Sequence, residues 1–178
     1  MLRFLSKLLG ARTIEAETLG ILNLCGDGAA GWAAADKAAL AQLFQNVKES
    51  EQQPPGCNLL LLYCTIDNDG SIVGSRLGLR EIIRDSGAPV VVVASPNSGE
   101  SYKAGAKERP YGQANLVMTI DRKGEAFGQF FQKLFGEMKR GRSMPAAWVK
   151  LAPQGPHPAQ AGVPDTVFFC ELGPLVFR

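Results

Sequence analysis

A single histidine, His157, serves the whole chain of 178 residues, and it lies between Pro156 and Pro158. Metal centres built on imidazole pairs are therefore excluded. The four cysteines, Cys25, Cys57, Cys64 and Cys170, show no C-x-x-C spacing and make no convincing zinc set with His157. No metal site is expected, and the free thiols fit a reduced, cytoplasmic protein. Charge of one sign is also lacking. A formal net charge of +2 gives no basic face of the kind that nucleic acid requires. No run is long and apolar enough to span a bilayer, and there are no internal repeats.

The first residues, "MLRFLSKLLGAR", place Leu2, Leu5, Leu8 and Leu9 on one helical face and Arg3 and Lys7 on the other. The apolar run is too interrupted for a signal peptide. An amphipathic helix over residues 1–12 is expected to dock on its own domain, with binding to a membrane surface through residues 1–10 or to a partner as the alternative. The rest, 13–178, reads as one domain.

Strand and helix patterns alternate along it. Residues 18–24 read as a strand, 32–50 as a helix with Ala39, Leu40, Leu43, Phe44 and Val47 at helical spacing. The continuous apolar run at 58–64 predicts a strand covered on both faces. Residues 76–87 predict an amphipathic helix closed by Gly87, and 89–95 a β-branched central strand. A polar, Gly-rich loop spans 96–113. Residues 114–120 read as a strand and 125–141 as a helix with Phe127, Phe130, Phe131, Leu134 and Phe135 inward. A further helix starts at Ser143 with Pro145 in its first turn. A final strand, 166–177, is interrupted by Gly173 and Pro174. The basic run Lys139-Arg140-Gly141-Arg142 suits a helix end, with an anion site as the alternative. The pattern predicts an α/β three-layer sandwich with a mostly parallel central sheet. Strands 58–64 and 89–95 are expected to be adjacent. Ligands of such sheets bind at the carboxyl ends of the strands, in the loops 25–31, 64–75, 95–113 and 121–124.

Two motifs in those loops are ambiguous. Gly26-Asp27-Gly28-Ala29-Ala30-Gly31 has the spelling of a dinucleotide fingerprint. The acid that should follow about twenty residues later falls at Lys48–Glu51, read as the end of a helix rather than a strand tip. Asp67-Asn68-Asp69-Gly70 resembles a calcium loop, but Arg76 would occupy its twelfth position, so Asx turn chemistry explains it better.

Several segments together carry a family resemblance. "LLLLYCTIDNDGSIVGSRLGLREIIRDSGAPVVVVAS", 59–95, resembles the core of CHAT domains, the caspase-like relatives of clan CD cysteine peptidases. The helix ending near Gly141, the "AAW" helix and the final aromatic strand agree with it. The resemblance implies a caspase-like fold with Cys64 at the nucleophile position. It also implies a His-Gly corner at the end of the preceding strand, where this chain has Asp27-Gly28. An aspartate beside the thiol would oppose thiolate formation.

The function expected on these grounds is a non-catalytic, caspase-like interaction or regulatory module whose partner is another protein. The alternatives are an active cysteine hydrolase using Cys64 and a nucleotide or small-anion binder using Gly26–Gly31. Cys64 and Asp27 form the candidate degenerate catalytic pair, and Gly26, Gly28, Asp67, Asp69, Ser95, Asn97 and Ser98 are candidate ligand contacts. No cofactor is expected.

Overall fold

The computed structural model describes residues 10–67, 69, 71–94, 114–119, 126–151 and 166–178. In chain order the elements are β1 (Arg12–Ile14), β2 (Thr18–Asn23), α1 (Asp27–Leu40), a 3-10 turn (Ala41–Leu43), β3 (Asn46–Ser50), β4 (Leu59–Tyr63), α2 (Leu79–Ser86), β5 (Val90–Val93), β6 (Asn115–Thr119), α3 (Ala126–Lys139), α4 (Met144–Leu151), β7 (Thr166–Cys170) and β8 (Leu175–Phe177).

The main sheet has six strands in the order β3-β2-β4-β5-β6-β7. The first five are parallel and β7 runs antiparallel to β6. The apolar runs at β4 and β5 lie side by side, Leu59 opposite Val90 and Leu62 opposite Val93, with every residue of both strands buried. Burial on both faces is what an unbroken apolar strand needs. The pleat sends alternate side chains to opposite layers. Leu59, Leu61 and Tyr63 join the cluster under α1, α3 and α4, with Ala29, Phe131 and Met144. Leu60, Leu62 and Cys64 join the cluster under α2, with Leu79, Ile82 and Ile83. This is a three-layer α/β sandwich.

Most expected elements form. Gly87 closes α2 at φ 62°, in the left-handed region, and Phe127, Phe130, Phe131, Leu134 and Phe135 all face the core. Two readings are corrected. Residues 32–50 are not one helix: α1 starts earlier, at Asp27, ends at Leu40, and Phe44 turns the chain to extended geometry at φ −126°, ψ 150°. Backbone N–H groups of Gln45 and Asn46 then bond to the Glu17 carbonyl at 2.9 and 3.0 Å, and 46–50 pairs with β2 as the edge strand. Tertiary pairing overrides the helical spacing. The final strand divides as well: β7 stays in the main sheet, and beyond Gly173 and Pro174 β8 pairs with β1 in a separate two-stranded sheet. The N-terminal helix expected over 1–12 lies, for 1–9, outside the described residues, while Arg12 already belongs to β1.

Helices α1 and α3 approach closely where Gly128 meets α1. A Cβ on Gly128 would sit 2.9 Å from Asp36 Oδ1 and 3.2 Å from Ala39 Cβ. A side chain at 128 would have to displace the Asp36 carboxyl group. Below this crossing the Tyr63 hydroxyl donates a 2.6 Å hydrogen bond to Asp36 Oδ2 in the buried layer.

Candidate functional site

Strand β3 follows β2 on one side and β4 flanks it on the other, so the order of the sheet reverses between β2 and β4. Open α/β sheets bind ligands at such a switch point, beyond the carboxyl ends of the strands. Here the switch is made by 24–27 and by the described residues that follow β4, 64–67 and 71–78. The Asn23 side chain builds the first loop: its Oδ1 accepts from Cys25 N–H at 3.0 Å and its Nδ2 donates to the Gly26 carbonyl at 2.8 Å. Gly26 can take φ 55° because it has no Cβ. Asp27 follows, exposed in the first turn of α1, where its charge complements the helix dipole. Cys25 Sγ lies 4.0 Å from Thr65 Oγ1 across the switch.

Of the glycines in the fingerprint spelling, only Gly26 has a conformational reason to be glycine. A Cβ on Gly28 or Gly31 would meet nothing within 4 Å, so neither is held by close packing of helix against strand. The acid test comes out differently from the sequence reading. Because 46–50 is a strand, Glu49 and Glu51 stand at the tip of the second strand rather than at a helix end. They help to line a trough of about 490 Å³ between α1 and the open sheet edge, floored by Ile21 and Asn23 and walled by Ala34 and Ala38. Lys37 of α1 pairs with Glu49 across it. Glu49 and Glu51 were set aside in the sequence because 32–50 read as one helix, and Lys37 carried no signal of its own.

Cys64 follows β4 and is fully buried. Its side chain belongs to the α2 layer, with Leu62, Ile66 and Ile72. Burial pushes its thiol well above the ordinary value, and the nearby Cys25 adds to the rise. Asp27 stands exposed on α1, the helix over the opposite face. Burial and Cys25, not Asp27, are what act on the Cys64 thiol. Cys57, beside Gly20 on β2, is pushed up to about 12, chiefly by burial.

The loop after β4 is a short hairpin. Ile66 bridges Ile72, Asp67 N–H bonds to the Ser71 carbonyl at 2.8 Å, and Asp69 Oδ1 accepts from Ser71 N–H at 2.8 Å. The Ser71 side chain first, and then its N–H, hold the Asp69 carboxyl below its ordinary value. Asp69 therefore serves an Asx turn. Ser95, Asn97, Ser98 and His157 lie outside the described residues. Among the described residues no three His, Cys, Asp or Glu side chains gather to hold a metal ion, and no helix is long and apolar enough to cross a membrane. No protein-family model matches the chain, and no curated protein does.

Proposed function

We propose that the chain is a caspase-like domain, similar to CHAT domains, that has lost peptidase chemistry and works as an interaction or regulatory module. The observation that carries this reading is the complete burial of Cys64 on the α2 face. A cysteine nucleophile must be a thiolate within reach of substrate. A desolvated thiol with a raised pKa meets neither condition. The caspase-like part is supported by neighbouring parallel strands, β2 leading to the 25–28 corner and β4 to Cys64. A Gly-containing loop and α2 then lead through Gly87-Ala88 into Val-rich β5. The test is turnover of a fluorogenic peptide panel by the full chain. No cleavage above that of Cys64→Ala is expected, and cleavage abolished by Cys64→Ala would establish the hydrolase instead.

A nucleotide or small-anion reading is favoured by one observation, the acids Glu49 and Glu51 at the tip of the second strand beside the trough. The open surroundings of Gly28 and Gly31 weigh against it. Millimolar NAD, FAD or ATP is expected to leave the melting temperature unchanged. A ligand at a hundredfold excess over its Kd would add about 2.7 kcal/mol. A shift lost in Glu49→Ala would promote this reading over the first.

A further inference from the structure

We propose that the corner between α3 and α4 is a docking surface for an acidic segment of a partner protein, one carrying an apolar side chain among its carboxylates. This rests on the reading of the chain as an interaction module and names the partner's chemistry. Helix α3 ends at Lys139, and Gly141 at φ 87° turns the chain toward α4. The turn gathers three cations round one carboxylate. Glu137, whose side chain is only 10% exposed, accepts from Arg140 Nη1 at 2.9 Å, Arg142 Nε at 2.9 Å and Lys150 Nζ at 2.8 Å. The fourth cation, Lys139, turns away to the Leu43 carbonyl and lies over the Phe44 ring, 5.5 Å from its centroid.

A charge run at a helix end is ordinarily a solvated face. Two features set this corner apart. First, Glu137 pins long side chains that would otherwise be mobile, so part of the ordering cost of binding is already met. Each guanidinium has five N–H donors in a planar fork, and Glu137 engages one nitrogen of each arginine. The outer edges of Arg140 and Arg142, with side chains 77% and 45% exposed, remain turned to solvent for the bidentate contacts that carboxylates make. Second, Val149 is 69% exposed, and among the described residues only Val73 is another large apolar side chain so open. Val149 shares the outward face of α4 with exposed Ala146 and Lys150. An exposed apolar side chain next in the chain to Lys150, one of the three cations held by Glu137, fits an acidic segment with an apolar side chain. A phosphate backbone fits less well, because its affinity rests on many phosphate contacts and it offers no apolar side chain to Val149.

The probe is a fluorescein-labelled peptide of glutamate and aspartate interrupted by leucine, titrated into the full chain and read by anisotropy. Saturable binding is expected, weakening as salt rises. The pair Arg140→Glu with Arg142→Glu should weaken it about tenfold or more. Val149→Asp, and removal of the leucines from the probe, should weaken it several-fold, while Arg76→Glu outside the corner should not. Circular dichroism melts show whether each variant folds, and Arg140→Gln with Arg142→Gln gives a second, neutral pair. The proposal is overturned by absence of saturable binding or by binding indifferent to these variants. It is equally overturned if duplex DNA or phosphatidylserine vesicles bind as well, with no dependence on Val149. The test separates the two readings: peptide binding together with Cys64-dependent turnover would overturn the non-catalytic reading alone. Loss of binding without turnover would overturn the docking surface alone.

Discussion

Replacing Tyr63 by phenylalanine removes one hydroxyl from the interior and leaves the ring in place. Tyr63 and Asp36 are 0% and 1% exposed, and the hydroxyl donates to Asp36 Oδ2 at 2.6 Å. No carbon is lost, so the cavity contribution that accompanies large-to-small changes is negligible. What remains is the loss of a hydrogen bond to a carboxylate where water cannot readily replace it, about 1.5–3 kcal/mol. Tyr63→Phe should therefore destabilise the chain by about 2 kcal/mol, or roughly 4–8 °C in Tm for a chain of this length. Urea unfolding followed by far-UV circular dichroism should show a lower midpoint with an unchanged slope. In a cycle with Asp36→Asn, the double variant should lose less than the sum of the single losses, by on the order of 1 kcal/mol. A Tyr63→Phe midpoint within about 0.5 kcal/mol of wild type, the range of ordinary surface substitutions, would refute the assignment of this contact as a buried lock between sheet and helix.

Gly20→Ala should cost about 1–3 kcal/mol by overpacking, because its Cβ would sit 2.5 Å from Cys57 Sγ and 3.1 Å from Pro55 Cγ. Cys57→Ala should recover part of that loss in the same unfolding assay. Glu137 makes a prediction about acid. Its carboxyl is lowered from 4.5 to about 2, first by the Lys150 hydrogen bond, then by that of Arg142. A depressed folded pKa gives stability that is complete above the unfolded value and lost as pH falls through the folded one. The Tm advantage of wild type over Glu137→Gln should therefore be constant above about pH 5 and shrink toward pH 2. An advantage that grows with acid would contradict the pairing.

The centre of the sheet was legible because its strands announce themselves locally. Leu59–Tyr63 and Val90–Val93 are unbroken apolar runs, and only burial on both faces accommodates them. Helix α2 was equally plain, with apolar positions at helical spacing and Gly87 at its end. The edge strand β3 was not, because its hydrogen bonds come from β2 and the Glu17 carbonyl, partners that local spacing does not display. That single misreading also hid the acids Glu49 and Glu51, which become strand-tip residues only when the helix stops at Leu40. The alternation of Tyr63 and Cys64 was visible in the sequence. Which layer each would face was not, since it depends on where α1 and α2 pack.

The most direct measurement of the central claim is alkylation of Cys64 in the native chain with iodoacetamide at pH 7, read residue by residue by mass spectrometry. Cys170 is exposed and Cys25 half-buried, whereas Cys64 is fully buried with its thiol pushed upward. Thiolate, not thiol, reacts. Cys64 should stay unmodified while Cys170 and Cys25 react, and should become labelled only once urea unfolds the chain. Rapid, selective modification of Cys64 in the native protein would mean an activated, accessible nucleophile and would contradict the non-catalytic account.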